Sequence, residues 1–103
     1  MMNVLSAYRE GRLTVYLHGE LDHHEVKKSM ELIDGLLERS LPRECVLDLG
    51  HLSFMDSSGI ALILKLSREL GREGGKLSVA RAAGQPLRVI DASGIDRLVR
   101  IST

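Results

Sequence analysis

The sequence predicts a single α/β domain, a mixed and mostly parallel sheet with an N-terminal hairpin and helices packed on it, in the order ββαβαβαβ. Three observations carry this. Leu13, Val15 and Leu17 alternate with Thr14, Tyr16 and His18, the period of two that marks a half-buried strand. Val26, Met30, Ile33 and Leu37 recur at helical spacing. Beyond them, short apolar runs alternate with helical stretches, which implies parallel strands joined by right-handed crossovers.

Taken in order, Asn3 to Tyr8 reads as a weak first strand, and Glu10-Gly11 offers a turn into the strand around Leu13 to His18. So short a connection makes the pair antiparallel. Gly19-Glu20-Leu21-Asp22 breaks the pattern, with Asp22 as N-cap of an amphipathic helix of about four turns that Leu41-Pro42 ends. Glu44 to Leu49 is a buried strand, and His51 to Met55 a loop leading to Asp56-Ser57-Ser58-Gly59. The second helix runs from about Ser58 to Arg72 and stops at Gly74-Gly75. Lys76 to Ala80 is the next strand, Pro86 lies in the first turn of a third helix ending near Ser93-Gly94, and Ile95 to Ile101 supplies a last strand.

Composition narrows the function. The 103 residues fit one domain over 1–103, and with only 3% aromatic residues the core must be aliphatic. Fourteen basic residues balance fourteen acidic ones, so the field that direct nucleic-acid binding requires is missing. Cys45, the only cysteine, sits in an apolar run and reads as a small buried hydrophobe. The start of the chain lacks the pattern of a signal peptide, and no apolar run approaches the ~18–20 residues of a membrane span, so the expected location is the cytoplasm, without membrane contact.

The informative stretch is Val46 to Gly59. In open α/β sheets, sites gather where strands end and helices begin. The first turn of a helix offers unpartnered N–H groups and a positive dipole end, which favour a phosphate. Asp56, Ser57, Ser58 and Gly59 occupy that spot, and simple capping by Asp56 or Ser57 is the competing reading. The two roles are compatible, because an exposed cap hydroxyl remains open to modification. Along the second helix, Ile60, Ile63, Leu64, Leu66 and Leu70 share an apolar side. Ala61 and Leu62 fall at the margin of the polar sector, one turn from Ser57. Leu62 therefore reads either as part of an apolar partner patch or as packing under a neighbouring helix.

His23 and His24 point about 100° apart on a helix, which disfavours a shared metal ion, and His18 and His51 have no ligand spacing to them. The pair reads as polar surface or as a partner contact. Catalysis has little support. The Gly-x-Ser-x-Gly elbow, the Gly-x-x-x-x-Gly-Lys loop and Gly-x-Gly-x-x-Gly are all missing, so neither an enzyme nor a cofactor site is expected.

Leu52-Ser53-Phe54-Met55-Asp56-Ser57-Ser58-Gly59 resembles the signature of the STAS family, the sulfate transporter and anti-sigma factor antagonist domains. Gly19-Glu20-Leu21-Asp22-His23-His24 is similar to the second segment of that family in its sporulation-type anti-sigma factor antagonists, and Asp91-Ala92-Ser93-Gly94-Ile95 to the segment closing the third helix. The resemblance implies a protein that, unphosphorylated, binds an anti-sigma factor serine kinase and so releases a sigma factor for transcription. It implies phosphorylation of Ser57 as the off switch, a serine phosphatase to restore the active form, and a contact surface around Asp22, His23, His24, Asp56, Ser58, Gly59 and Leu62. It also implies a C-terminal helix after the last strand, whereas this sequence stops at Thr103, so that either the helix is dispensable or part of the sheet face is left open. Alternative roles are a STAS domain that binds a small ligand or nucleotide, or one that acts in a stress-signalling or lipid-transport assembly.

Overall fold

Glu10 and Gly11 both take positive φ, 51° and 85°. Two consecutive residues of that kind form the tight turn whose twist suits antiparallel strands, and they join β1 (Met2–Arg9) to β2 (Arg12–Leu21) in continuous register from Met2↔Gly19 to Arg9↔Arg12. The computed structural model describes residues 2–103. Met1, which opens the domain expected over 1–103, lies outside them.

From β2 the chain continues through α1 (Val26–Ser40) to β3 (Glu44–Met55), α2 (Ser57–Arg72), β4 (Lys76–Ala80), α3 (Gly84–Ser93), a 3₁₀ turn at Ile95–Arg97 and β5 (Arg100–Ile101). The sheet order is β1-β2-β3-β4-β5, parallel from β2 onward. Each parallel crossover steps the same way across the sheet. Right-handed crossovers that all step one way place their helices on one face, and the 19 Å short dimension is that of one sheet and one helix layer.

One-sided burial follows. Leu13, Val15 and Leu17 of β2, Leu47 and Leu49 of β3 and Val79 of β4 are buried against Ile33 of α1, Ile63 and Leu66 of α2 and Ile90 of α3. Their neighbours on the other side, Thr14, Tyr16, His18, Val46 and Ser78, stay partly exposed. The expected fold class, order and hairpin are borne out.

Several details differ. β2 runs on through Gly19-Glu20-Leu21, and β3 through the segment expected as a loop, because Glu20 pairs with Phe54 and Leu21 with Met55. Leu52 and Met55 are buried there, a spacing of three produced by irregular register that conceals the strand's alternation. Asp22 precedes α1 by a turn: its carboxylate accepts the N–H groups of His24 and Glu25, while Glu25 is the residue at the helix boundary. The last expected strand is mostly the 3₁₀ turn, with β5 only two residues long.

Leu62 is a correction with functional weight. It is 2% exposed and belongs to the stripe Gly59, Leu62, Ile63, Leu66 and Leu70 that α2 turns to the core. The helix is rotated from the expected apolar side because the stripe includes Gly59, whose small size admits close packing. Leu62 cannot be a surface contact. Leu62→Ala should lower stability by about 2–5 kcal/mol; denaturant unfolding that shows a loss below about 1 kcal/mol would contradict its place in the core.

Cys45 is buried, and desolvation pushes its thiol up to about 12. At pH 8 it should resist a thiol-reactive dye until denaturant is added; rapid labelling of the native protein would show that β3 opens locally.

Candidate functional site

β3 ends at Met55, Asp56 is extended at φ −105°, and α2 begins at Ser57. Asp56 is the N-cap. Its Oδ1 accepts the Ser58 N–H at 2.8 Å, and its backbone carbonyl accepts the Gly59 N–H at 3.0 Å. Its Oδ2 reaches across to the β2–α1 turn and accepts the His23 N–H at 3.1 Å, with His23 Nδ1 at 3.7 Å. The Asp56 N–H itself donates to Leu21 O at 3.3 Å. One residue thus fastens the start of α2 to the end of β2. Burial pushes the Asp56 carboxyl up, but hydrogen bonds from Ser58 and from the His23 N–H, together with the His23 charge, outweigh it and hold the group below its usual range.

These bonds leave Ser57 exposed at the first helical position. Among the described residues nothing bonds to its hydroxyl, and no base reaches it, so the geometry presents a free hydroxyl beside the positive end of a helix. Ser58 differs: it is partly buried and its N–H is held by the cap.

Asp22, His23 and His24 come to the same end of the molecule. The His23 and His24 rings are 3.9 Å apart at 39°, and both residues are exposed. Gly59 is brought near but faces inward. A Cβ there would collide with the Met55 side chain and lie 3.3 Å from Leu21 Cδ2, so Gly59 is a close-approach position and not a contact surface. Leu62 lies in the core, as above. Of the seven expected contact residues, Asp22, His23, His24, Asp56 and Ser58 lie at this end of the molecule, at the surface or just below it, and Gly59 and Leu62 are buried.

Two residues escaped the sequence reading. Gln85 of α3 clamps the end of β3, its Oε1 accepting the Met55 N–H at 2.8 Å and its Nε2 donating to Met55 O at 2.9 Å. No local pattern announces a bond spanning 30 residues. Phe54, three residues before Ser57, is a large apolar side chain left 38% exposed. Its place in the signature segment was its only signal. Among the described residues, no group of three or more His, Cys, Asp or Glu side chains is placed to hold a metal ion, and no helix is long and apolar enough to cross a membrane.

The family model for the STAS domain matches residues 5–103. The chain belongs to the STAS family. Among relatives, the STAS domain is similar to an anti-sigma F factor antagonist of Paenibacillus polymyxa, 34% identical over 94 residues, covering 91% of this chain and 80% of the relative. A second anti-sigma F factor antagonist, from Lysinibacillus sphaericus, is 32% identical over 81% of this chain and 71% of its own. The solved anti-sigma factor antagonist SpoIIAA in its unphosphorylated form superposes with a TM-score of 0.80 at 28% identity, covering 100% of this chain and 89% of that one. The phosphorylated form of the Bacillus protein gives 0.72 at 26% identity, covering 100% and 92%.

Because the Asp56 carboxyl is held low in the folded STAS domain, its bonds stabilise the fold above the unfolded carboxylate range, and that stability is lost as pH falls through the folded value. Asp56→Asn should lower stability at pH 7 by about 1 kcal/mol and reduce the loss between about pH 4 and the folded value. Equal acid slopes for the two proteins in thermal melts would remove Asp56 from this role.

Proposed function

We propose that this STAS domain is an anti-sigma factor antagonist whose binding is switched by phosphorylation of Ser57. The observation that carries the reading is the free, exposed Ser57 hydroxyl at the first position of α2, beside a cap that engages its neighbours and leaves it open. Support comes from relatives named anti-sigma F factor antagonist and from the structural likeness to SpoIIAA, solved in both phosphorylation states.

In this reading the unphosphorylated domain docks on an anti-sigma factor that is also a serine kinase, and a sigma factor is released to act in transcription. The kinase transfers a phosphoryl group to Ser57, and a serine phosphatase removes it. The domain is substrate and ligand in this cycle and catalyses no step of its own. Such partners imply a cytoplasmic protein, and the similarity to anti-sigma F factor antagonists extends the reading to sporulation.

The contact surface is Ser57 with Asp22, His23 and His24 around it and Phe54 as its apolar part. Asp56 and Ser58 position the serine; Gly59 and Leu62 hold α2 in place from below. A phosphoserine adds about −1.5 to −2 charge at neutral pH. The helix N-terminus favours that charge and Asp56 opposes it, each by on the order of 1 kcal/mol, so the fold tolerates the modification. A docked partner must instead desolvate the phosphate, at a cost of several kcal/mol, which is a hundredfold or more in affinity.

The test is incubation with the cognate kinase and ATP, followed by mass mapping and affinity measurement. Phosphate is expected on Ser57. Ser57→Ala should bind yet escape switching, and Ser57→Asp should bind at least about tenfold more weakly. Phosphate on Ser58 alone, or undiminished binding of the phosphorylated protein, would overturn the reading.

A further inference from the structure

The sheet face away from the helices carries a second polar assembly, unrelated to Ser57. Between Tyr16 and His18 of β2, β3 advances from Asp48 to His51, one residue more than its partner, so β3 bulges at Leu49-Gly50. Bulges re-aim side chains and occur often beside binding sites. Here Asp48 Oδ1 accepts the Gly50 N–H at 2.9 Å, and both Asp48 oxygens accept from Arg81 Nε, at 3.1 and 3.0 Å. Asp48 is 7% exposed, whereas the Arg81 side chain remains 54% exposed.

Three features orient this guanidinium. Gly50 leaves the space it occupies: a Cβ there would lie 2.5 Å from Arg81 Cζ and 2.6 Å from Nη2. Asp48 holds Nε. Arg81 itself takes φ 57°, a left-handed conformation that side chains with a Cβ seldom adopt. An arginine that only neutralised Asp48 would engage it through a two-bond fork. Here a single N–H is shared between both oxygens, and among the described residues nothing accepts from Nη1 or Nη2. Tyr16 stands opposite Asp48 in register, on the same face of the sheet. His51 follows Gly50, and its ring lies 4.5 Å from that of His18.

We propose that Arg81, with Tyr16 and His51 beside it, forms a phosphate-binding subsite on the bare face of the sheet. The open Nη1–Nη2 edge matches two oxygens of an oxyanion. A carboxylate would be satisfied by that edge alone. A tetrahedral phosphate has further oxygens, for which the Tyr16 hydroxyl and a His51 ring N–H are donors. The ligand class is a phosphate monoester or free phosphate, and the site is independent of the switch at Ser57.

The experiment is titration of the whole chain with inorganic phosphate at constant ionic strength, followed by backbone and Arg Nε–H NMR signals. Saturable shifts are expected at Gly50, His51 and Arg81, with acetate at least about tenfold weaker. Arg81→Lys keeps the charge and loses the fork, and should weaken phosphate about tenfold or more. Gly50→Ala places a methyl group where the guanidinium lies and should do the same; it provides the comparison if the first variant misfolds. Shifts that are linear in phosphate, equal with acetate, confined to Ser57-Ser58-Gly59, or unchanged in a folded variant would overturn the subsite.

Discussion

Asp56 has every backbone and carboxylate polar atom engaged, and the geometry around Ser57 depends on it. Its N–H ties it to the end of β2, Oδ2 to the turn before α1, and Oδ1 and the carbonyl to the first turn of α2. A helix start has several N–H groups without internal partners. By satisfying those of Ser58 and Gly59, Asp56 removes the need for Ser57 to cap, which is why the Ser57 hydroxyl is free. Capping, which the sequence leaves open between Asp56 and Ser57, thus falls to Asp56.

In the proposed reading, the same arrangement would let a phosphate on Ser57 act without refolding the domain. The phosphate would arrive at a helix end already held by two long-range anchors, the Asp56–His23 bond and the Gln85 clamp on Met55. Beneath it, Gly59 packs against Met55 and Leu21, and Leu62 lies in the core. The added charge would therefore meet a well-anchored helix end, and its effect would fall on whatever must approach the surface.

Local chemistry made much of this legible. The Glu10-Gly11 turn, the stripe on α1, the glycine stops and the polar cluster at 56–58 are signals carried by a few neighbouring residues. What escaped depends on distant partners. The end of β3 is a strand because β2 and Gln85 supply its hydrogen bonds, and its irregular register hides the period of two. Leu62 was ambiguous because α2 offers two overlapping apolar stripes, and the choice between them rests on Gly59 facing Met55, a contact between elements. Arg81 and Asp48, 33 residues apart, have no local signature at all.

Topology separates the two polar assemblies. A sheet whose strands follow in order 1-2-3-4-5 must place its right-handed crossovers on one side, so the helices that build the Ser57 platform cannot also cover the Asp48–Arg81 face. Burying Asp48 on an uncovered face requires a local partner, and Arg81 supplies it from the loop after β4, where that strand ends opposite Asp48. Charge placed at Ser57 acts at the N-terminal end of α2, and charge received at Arg81 acts on the sheet's other side.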